Sequence, residues 1–234
     1  MRKLGAVWAG VVLCVATTGV SAASIADFSA DFSASINPNG AWTYGYAGSL
    51  GGEPVASTTL SAYGPGGVIK AWSPTGTFWP TVGANLSGAS ASFGAGDVVT
   101  LAAGQGLLHP GPQGEFAVVR YTVQSPVLAE LAIAFEGVDA VGTTTDVHVL
   151  KNGVQIFGGL VDGYRATQSF AQTYQFAAGD KVDVFVGWGG NANFNDDSTG
   201  FRMTLAPVPE PGAGVLFAVG LAVLGCAVRR RMVR

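Results

Sequence analysis

Apolar and polar residues alternate with a period of two along most of the second half of the chain. In 116–123, Ala117, Val119, Tyr121 and Val123 fall on one face, and in 128–135 Ala129, Leu131, Ile133 and Phe135 do the same with Glu130 opposite. Such alternation marks a strand with one face in a core and the other in water. The run 147–150 is followed by Asn152-Gly153 and a second run, 154–157. An Asn-Gly pair between apolar runs predicts a two-residue hairpin, because both turn positions need positive φ. Residues 169–176 and 182–186 form a further predicted pair around the turn 177–180, and Phe201, Met203 and Leu205 a last strand.

The first half is less regular and richer in aromatic residues. Trp42, Tyr44 and Tyr46 share one face of a predicted strand, with further strands expected at 57–63, 67–72, 78–82 and 98–102. The segment 26–32 reads either as a first strand or as a helical turn, since Phe28 and Phe32 stand four apart. No amphipathic helix is evident between 24 and 206, and the 35 glycines are about twice the usual share. Short alternating runs between closely spaced turn signals predict an all-β fold, a single antiparallel β-sandwich.

Both ends of the chain depart from this pattern. Arg2 and Lys3, an apolar stretch over 4–15 and the small residues Ser21, Ala22 and Ala23 have the order of a secretory signal peptide, expected to be cleaved after Ala22. Leu13, rather than a small residue, precedes Cys14, which argues against lipid attachment there. At the other end, Pro209-Glu210-Pro211 interrupts regular structure twice. An apolar run over 212–228 and then Arg229, Arg230 and Arg231 follow. A run of that length sits at the short end of what spans a bilayer, and the arginines would hold its end in the cytoplasm.

This tripartite tail resembles the PEP-CTERM sorting signal. The resemblance implies export, transient anchoring in the inner membrane through a single transmembrane helix, and recognition near Pro209-Glu210-Pro211 by exosortase. It further implies removal of the tail and delivery to the cell surface or an extracellular matrix. The expected organisation is a signal peptide at 1–22, a sandwich ectodomain at 23–206 and a sorting signal at 207–234. Asn37-Pro-Asn-Gly-Ala-Trp-Thr-Tyr-Gly45, with fragments from Leu108-His-Pro-Gly111 through to Asp197-Ser-Thr-Gly200, is similar to a recurrent domain of PEP-CTERM proteins. Those domains look like jelly-roll sandwiches related in appearance to carbohydrate-binding modules, so polysaccharide is the ligand class implied.

Removing the two ends changes the charge. Six basic and fourteen acidic side chains remain in 23–206, a net charge of −8 against −3 for the whole chain. That balance argues against a nucleic-acid partner. Both cysteines, Cys14 and Cys226, lie in the ends, so the ectodomain is expected to fold without disulfides.

Candidate chemistry is sparse. The chain contains no nucleophile elbow, zinc helix motif or phosphate loop, and only His109 and His148 as histidines. No catalytic residue is therefore assigned, and the expected function is non-catalytic. A polysaccharide-active enzyme is the alternative from another class; it would need two carboxyls from among Glu115, Glu130, Glu136, Asp146 and Asp162 to meet in a cleft. A purely structural matrix component is a third reading. The polar loop 189–200 offers oxygens from Asn191, Asn193, Asn195, Asp196 and Asp197 for calcium, with Asx-turns as the competing reading. For stacking against a sugar the candidates are Trp42, Tyr44, Trp72, Trp79 and Trp188, with Trp79 beside Pro80 the most loop-like.

Overall fold

The computed structural model describes residues 23–208, Asp97 excepted. The expected signal peptide and the apolar and arginine segments of the tail lie outside the described residues. Among those described, no helix is long and apolar enough to cross a membrane.

Besides two 3-10 turns, the described residues form sixteen strands and one short α-helical turn. In the first half they are β1 (Ala26–Asp27), α1 (Phe28–Asp31), β2 (Trp42–Ala47), β3 (Val55–Ala56), β4 (Thr59–Tyr63), β5 (Ile69–Ser73), β6 (Thr81–Asn85), β7 (Ala91–Phe93), β8 (Val99–Leu101) and β9 (Gly106–His109). The second half carries β10 (Phe116–Thr122), β11 (Val127–Gly137), β12 (Thr144–Lys151), β13 (Val154–Asp162), β14 (Thr167–Phe176), β15 (Lys181–Gly187) and β16 (Thr199–Pro207). One sheet runs β14-β11-β16-β9-β6-β5-β4 with β1 added beside β16, and the other runs β13-β12-β15-β10-β2-β3. All pairings are antiparallel, and the two sheets face each other as a sandwich.

The alternating residues of both sheets meet in one core. Ala117, Val119, Tyr121 and Val123 face Ala129, Leu131, Ile133 and Phe135 there, joined by Val182, Val184 and Val186, so the period-two reading of these strands holds. A second cluster lies outside the larger sheet, where the β7–β8 hairpin places Ala91, Val99 and Leu101 over Ile69, Leu107 and Val138. A third, Ala47, Val118, Leu150 and Phe185, covers part of the outer face of the smaller sheet. Asn152 and Gly153 have φ of 52° and 77°, and Lys151 pairs with Val154 across them. This is the primed turn that the Asn-Gly pair predicts.

Several boundaries and one pairing differ from the sequence reading. Segment 26–32 is both of its alternatives in turn: two residues of strand, then a helical turn whose first amides, Ser29 and Ala30, donate to the Asp27 carboxylate. The strand expected at 78–82 begins only at Thr81, and Phe78 stands exposed in the loop before it. Strands β3, β7 and β9 were not expected, being too short or too glycine-rich for a periodic signal. Most notably, β14 and β15 are not a hairpin, for β14 pairs with β11 and β15 with β10 and β12. The turn 177–180 crosses from one sheet to the other and is docked on Val123, which donates to Asp180 O at 2.8 Å and accepts from Gly179 N at 2.8 Å. Alternation places a residue on a face, but it does not say which strand lies beside it.

The inner faces close around Phe28. Its ring lies 4.3 Å from that of Phe201, 5.6 Å from Phe32, 5.7 Å from Trp42 and 6.0 Å from Tyr44, and it is 1 % exposed. Phe28→Ala is expected to cost about 3–5 kcal/mol of unfolding free energy by leaving a void among rings that cannot collapse into it. Urea unfolding followed by tryptophan fluorescence checks this, and a loss below about 1 kcal/mol would show that the wedge is dispensable.

Candidate functional site

A cleft of 330 Å³ opens where the ends of β4, β7 and β9 meet the loops before β6 and β16 and after β11. Its walls are aromatic. Tyr63 and Phe93 pack ring to ring at 5.4 Å, and Trp79 stacks on His109 at 3.8 Å with 23° between the planes. Phe194 meets His109 edge-on at 6.1 Å. Tyr63, Trp79, Phe93 and Phe194 are each half-buried, so each keeps part of its ring open to the cleft.

Local bonds hold these rings. The loop carrying Trp79 is braced by Thr77 Oγ1 donating to Trp79 O at 2.8 Å and by Thr81 Oγ1 donating to Phe78 O at 2.6 Å. His109 ends β9 and is buried, with Nδ1–H donating to Pro110 O at 2.9 Å. A carbonyl can only accept, so this bond sets the tautomer and leaves Nε2 as an acceptor. Burial pushes the imidazole down to about 4, so it is neutral near pH 7.

Carboxylates supply the polar part. Asp139 and Asp196 line the cleft, together with Asn195. Asp139 is 3 % exposed; its Oδ1 accepts from Val141 N at 2.9 Å, the one donor to this carboxylate among the described residues. Burial first and the Asp196 charge second raise its pKa. Behind them Asp197 is fully buried, with Oδ1 accepting from Thr144 N at 2.8 Å and Thr144 Oγ1 at 3.1 Å. Its Oδ2 has no donor among the described residues, and burial, then the Asp196 and Asp139 charges, push the carboxyl up to about 6.

The residues expected from sequence are scattered by comparison. Trp42 is 3 % exposed with Nε1 donating to Asp31 Oδ2 at 3.2 Å, and Trp72 is 7 % exposed with Nε1 donating to Ser33 O at 2.8 Å. Tyr44 is wholly buried. These three are core residues and offer no face to a ligand, since large rings fill the gap between sheets most effectively. Trp188 is half-buried against the backbone of Gly114, outside the cleft lining. Trp79 alone of the named aromatics reaches the cleft. Tyr63, Phe93 and Asp139 carry no sequence signal for it. Phe194 had one, as the single ring in the polar loop 189–200.

That loop is folded by its own side chains. Asn191 Oδ1 accepts from Asn193 N at 3.0 Å and Asn193 Oδ1 from Asn195 N at 3.1 Å, two consecutive Asx-turns. Among the described residues no group of three or more His, Cys, Asp or Glu is placed to hold a metal ion. The five carboxylates considered for hydrolysis have separate partners or face solvent. Glu136 pairs with Arg165 at 2.6 Å, Asp146 with His148 at 2.8 Å, Glu115 accepts from Gln113 N at 2.9 Å, and Glu130 and Asp162 are exposed.

Asp197 and His109 oppose each other in their effect on stability. The native state binds more protons at Asp197 than the unfolded chain between about pH 4 and about 6, so this contribution falls as pH rises through that window. At His109 the native state binds fewer protons than the unfolded chain between about pH 6.5 and about 4, so this contribution falls as pH drops. Melting midpoints measured across that range are expected to fall more steeply on acidification in Asp197→Asn than in the wild type. They are expected to fall less, or to rise, in His109→Gln. Parallel profiles for all three proteins would contradict the assignment.

No curated protein matches the chain in sequence. Among solved structures it is similar to a family 51 carbohydrate-binding module from Clostridium perfringens in complex with methyl-galactose, at 13 % identity over 65 % of this chain and 94 % of that one, with a TM-score of 0.36. It is also similar to a family 35 carbohydrate-binding module from Clostridium thermocellum, at 8 % identity over 64 % of this chain and all of that one, with a TM-score of 0.28. A PEP-CTERM protein-sorting motif matches at residues 207–231, including Pro209-Glu210-Pro211 and Arg229 to Arg231. The chain thus carries a PEP-CTERM protein-sorting motif directly after an all-β sandwich.

Proposed function

We propose that the exported protein is a non-catalytic polysaccharide-binding component of the cell surface or extracellular matrix, and that the cleft beside Trp79 is its sugar site. The observation that carries this reading is the convergence of four half-buried rings with hydrogen-bonding side chains in one concave space. Ring faces pack against the C–H face of a pyranose, and fixed polar groups select its orientation. The cleft volume is in the range of small-ligand sites.

A second reading, glycoside hydrolysis, is favoured by one observation: Asp139 and Asp196 line the same aromatic cleft. Two carboxyls with different protonation tendencies across a sugar are what acid-base hydrolysis uses. The two readings separate in one assay. On a glycan array followed by reducing-end measurement, the binding reading expects retention of a glycan and no cleavage. Trp79→Ala and Phe194→Ala are each expected to weaken retention about 10-fold or more, the scale of one lost stacking contact. New reducing ends lost in Asp139→Asn would establish the enzyme instead, and silence toward every glycan would leave the structural-component reading.

The tail makes its own prediction. Backbone pairing persists at least to Val208, whose N–H donates to Leu128 O at 2.9 Å, directly before Pro209 in the chain. We propose that cleavage there releases an intact sandwich. Mass spectrometry of the exported form is expected to lack residues 212–234, and recovery of Arg229 to Arg234 in it would contradict the processing step.

A further inference from the structure

The polar lining of the cleft is one-sided. Among the described lining residues there is no Lys or Arg, while Asp139 and Asp196 face the space and Asp197 lies behind them. Asp139 is nine-tenths buried, and its Oδ2 has no donor among the described residues although its Oδ1 has one. His109 adds a lone pair rather than a charge, because its Nδ1–H is committed to Pro110 O. The remaining wall is the faces of Tyr63, Trp79, Phe93 and Phe194, whose quadrupoles are negative. The Asp196 charge raises the cost of ionising Asp139, the Asp196 and Asp139 charges raise that of Asp197, and a bound positive charge would relieve both.

We propose that the cleft recognises the protonated amino group of an amino-sugar residue, its ammonium on Asp139 and Asp196 and its pyranose face against the aromatic wall. The inference rests on the sugar-binding reading and narrows its ligand class. An ammonium brings three donors and no acceptor, which matches two carboxylates. It also gains from aromatic faces in a partly desolvated space. Uronic acids and sulfated sugars are disfavoured, since their anions would meet two carboxylates with no cation between them. A bare calcium ion fits less well, because it needs six to eight oxygens and the aromatic wall provides none.

The test is calorimetric titration of the full chain in detergent micelles near neutral pH with three tetramers: glucosamine, N-acetylglucosamine and glucose in β-1,4 linkage. The glucosamine tetramer is expected to bind about 10-fold tighter or more than the other two, the combined scale of a charge-assisted hydrogen bond and a cation–π contact. Asp196→Asn is expected to remove that preference, bringing the glucosamine tetramer to the affinity of the N-acetylated one, and so is Asp139→Asn. Should Asp139→Asn not fold, added sodium chloride serves in its place, and the preference should shrink as salt rises. Equal binding of the three tetramers, or a preference for the N-acetylated form, overturns the amino-sugar proposal and leaves the sugar-binding reading standing. No binding of any tetramer, with no glycan retained on the array, overturns both. A melting midpoint raised by calcium chloride alone and lowered again in Asp196→Asn assigns the carboxylates to a metal and overturns the proposal.

Discussion

Two sheets with apolar inner faces must exclude water between them, and in this protein the exclusion turns on a cluster of rings around Phe28. Sheets pack about 10 Å apart, a gap that large side chains fill best. Phe28 comes from the helical turn after β1, Trp42 and Tyr44 from the smaller sheet and Phe201 from the larger one, so three separate elements are joined at one point. The helical turn is held for this purpose by Asp27, whose carboxylate receives its first amides.

The same packing places the ends of the domain. Strand β16 lies inside the larger sheet, between β11 on one side and β9 with β1 on the other. Ile25 N donates to Leu205 O at 2.8 Å, so the chain enters beside the point from which the sorting motif departs. Among the described residues, the strands of both sheets and all three clusters lie between Ala26 and Pro207.

The cleft is built on loops and strand ends, where function concentrates on a rigid scaffold. It carries a cost that the core does not. Asp139, Asp196 and Asp197 repel one another, Asp197 keeps an oxygen without a donor among the described residues, and His109 is buried in its neutral form. Polar groups held in this way cost folding free energy.

The amino-acid sequence by itself determined the strands with a clear period of two, the Asn152-Gly153 turn, the all-β class and the sorting motif. Each of these is written in neighbouring residues, through side-chain alternation, turn dihedrals or a contiguous tripartite tag. Only the tertiary structure decided that β14 and β15 belong to different sheets, because alternation is silent about partners. It also decided that Trp42 and Trp72 fill the core while Trp79 reaches the cleft. An indole has the same composition in either place, and its exposure depends on what the other sheet brings against it. Asp139 and Asp196 meet for a similar reason: their loops lie far apart in the chain and are joined only by the strand order between them.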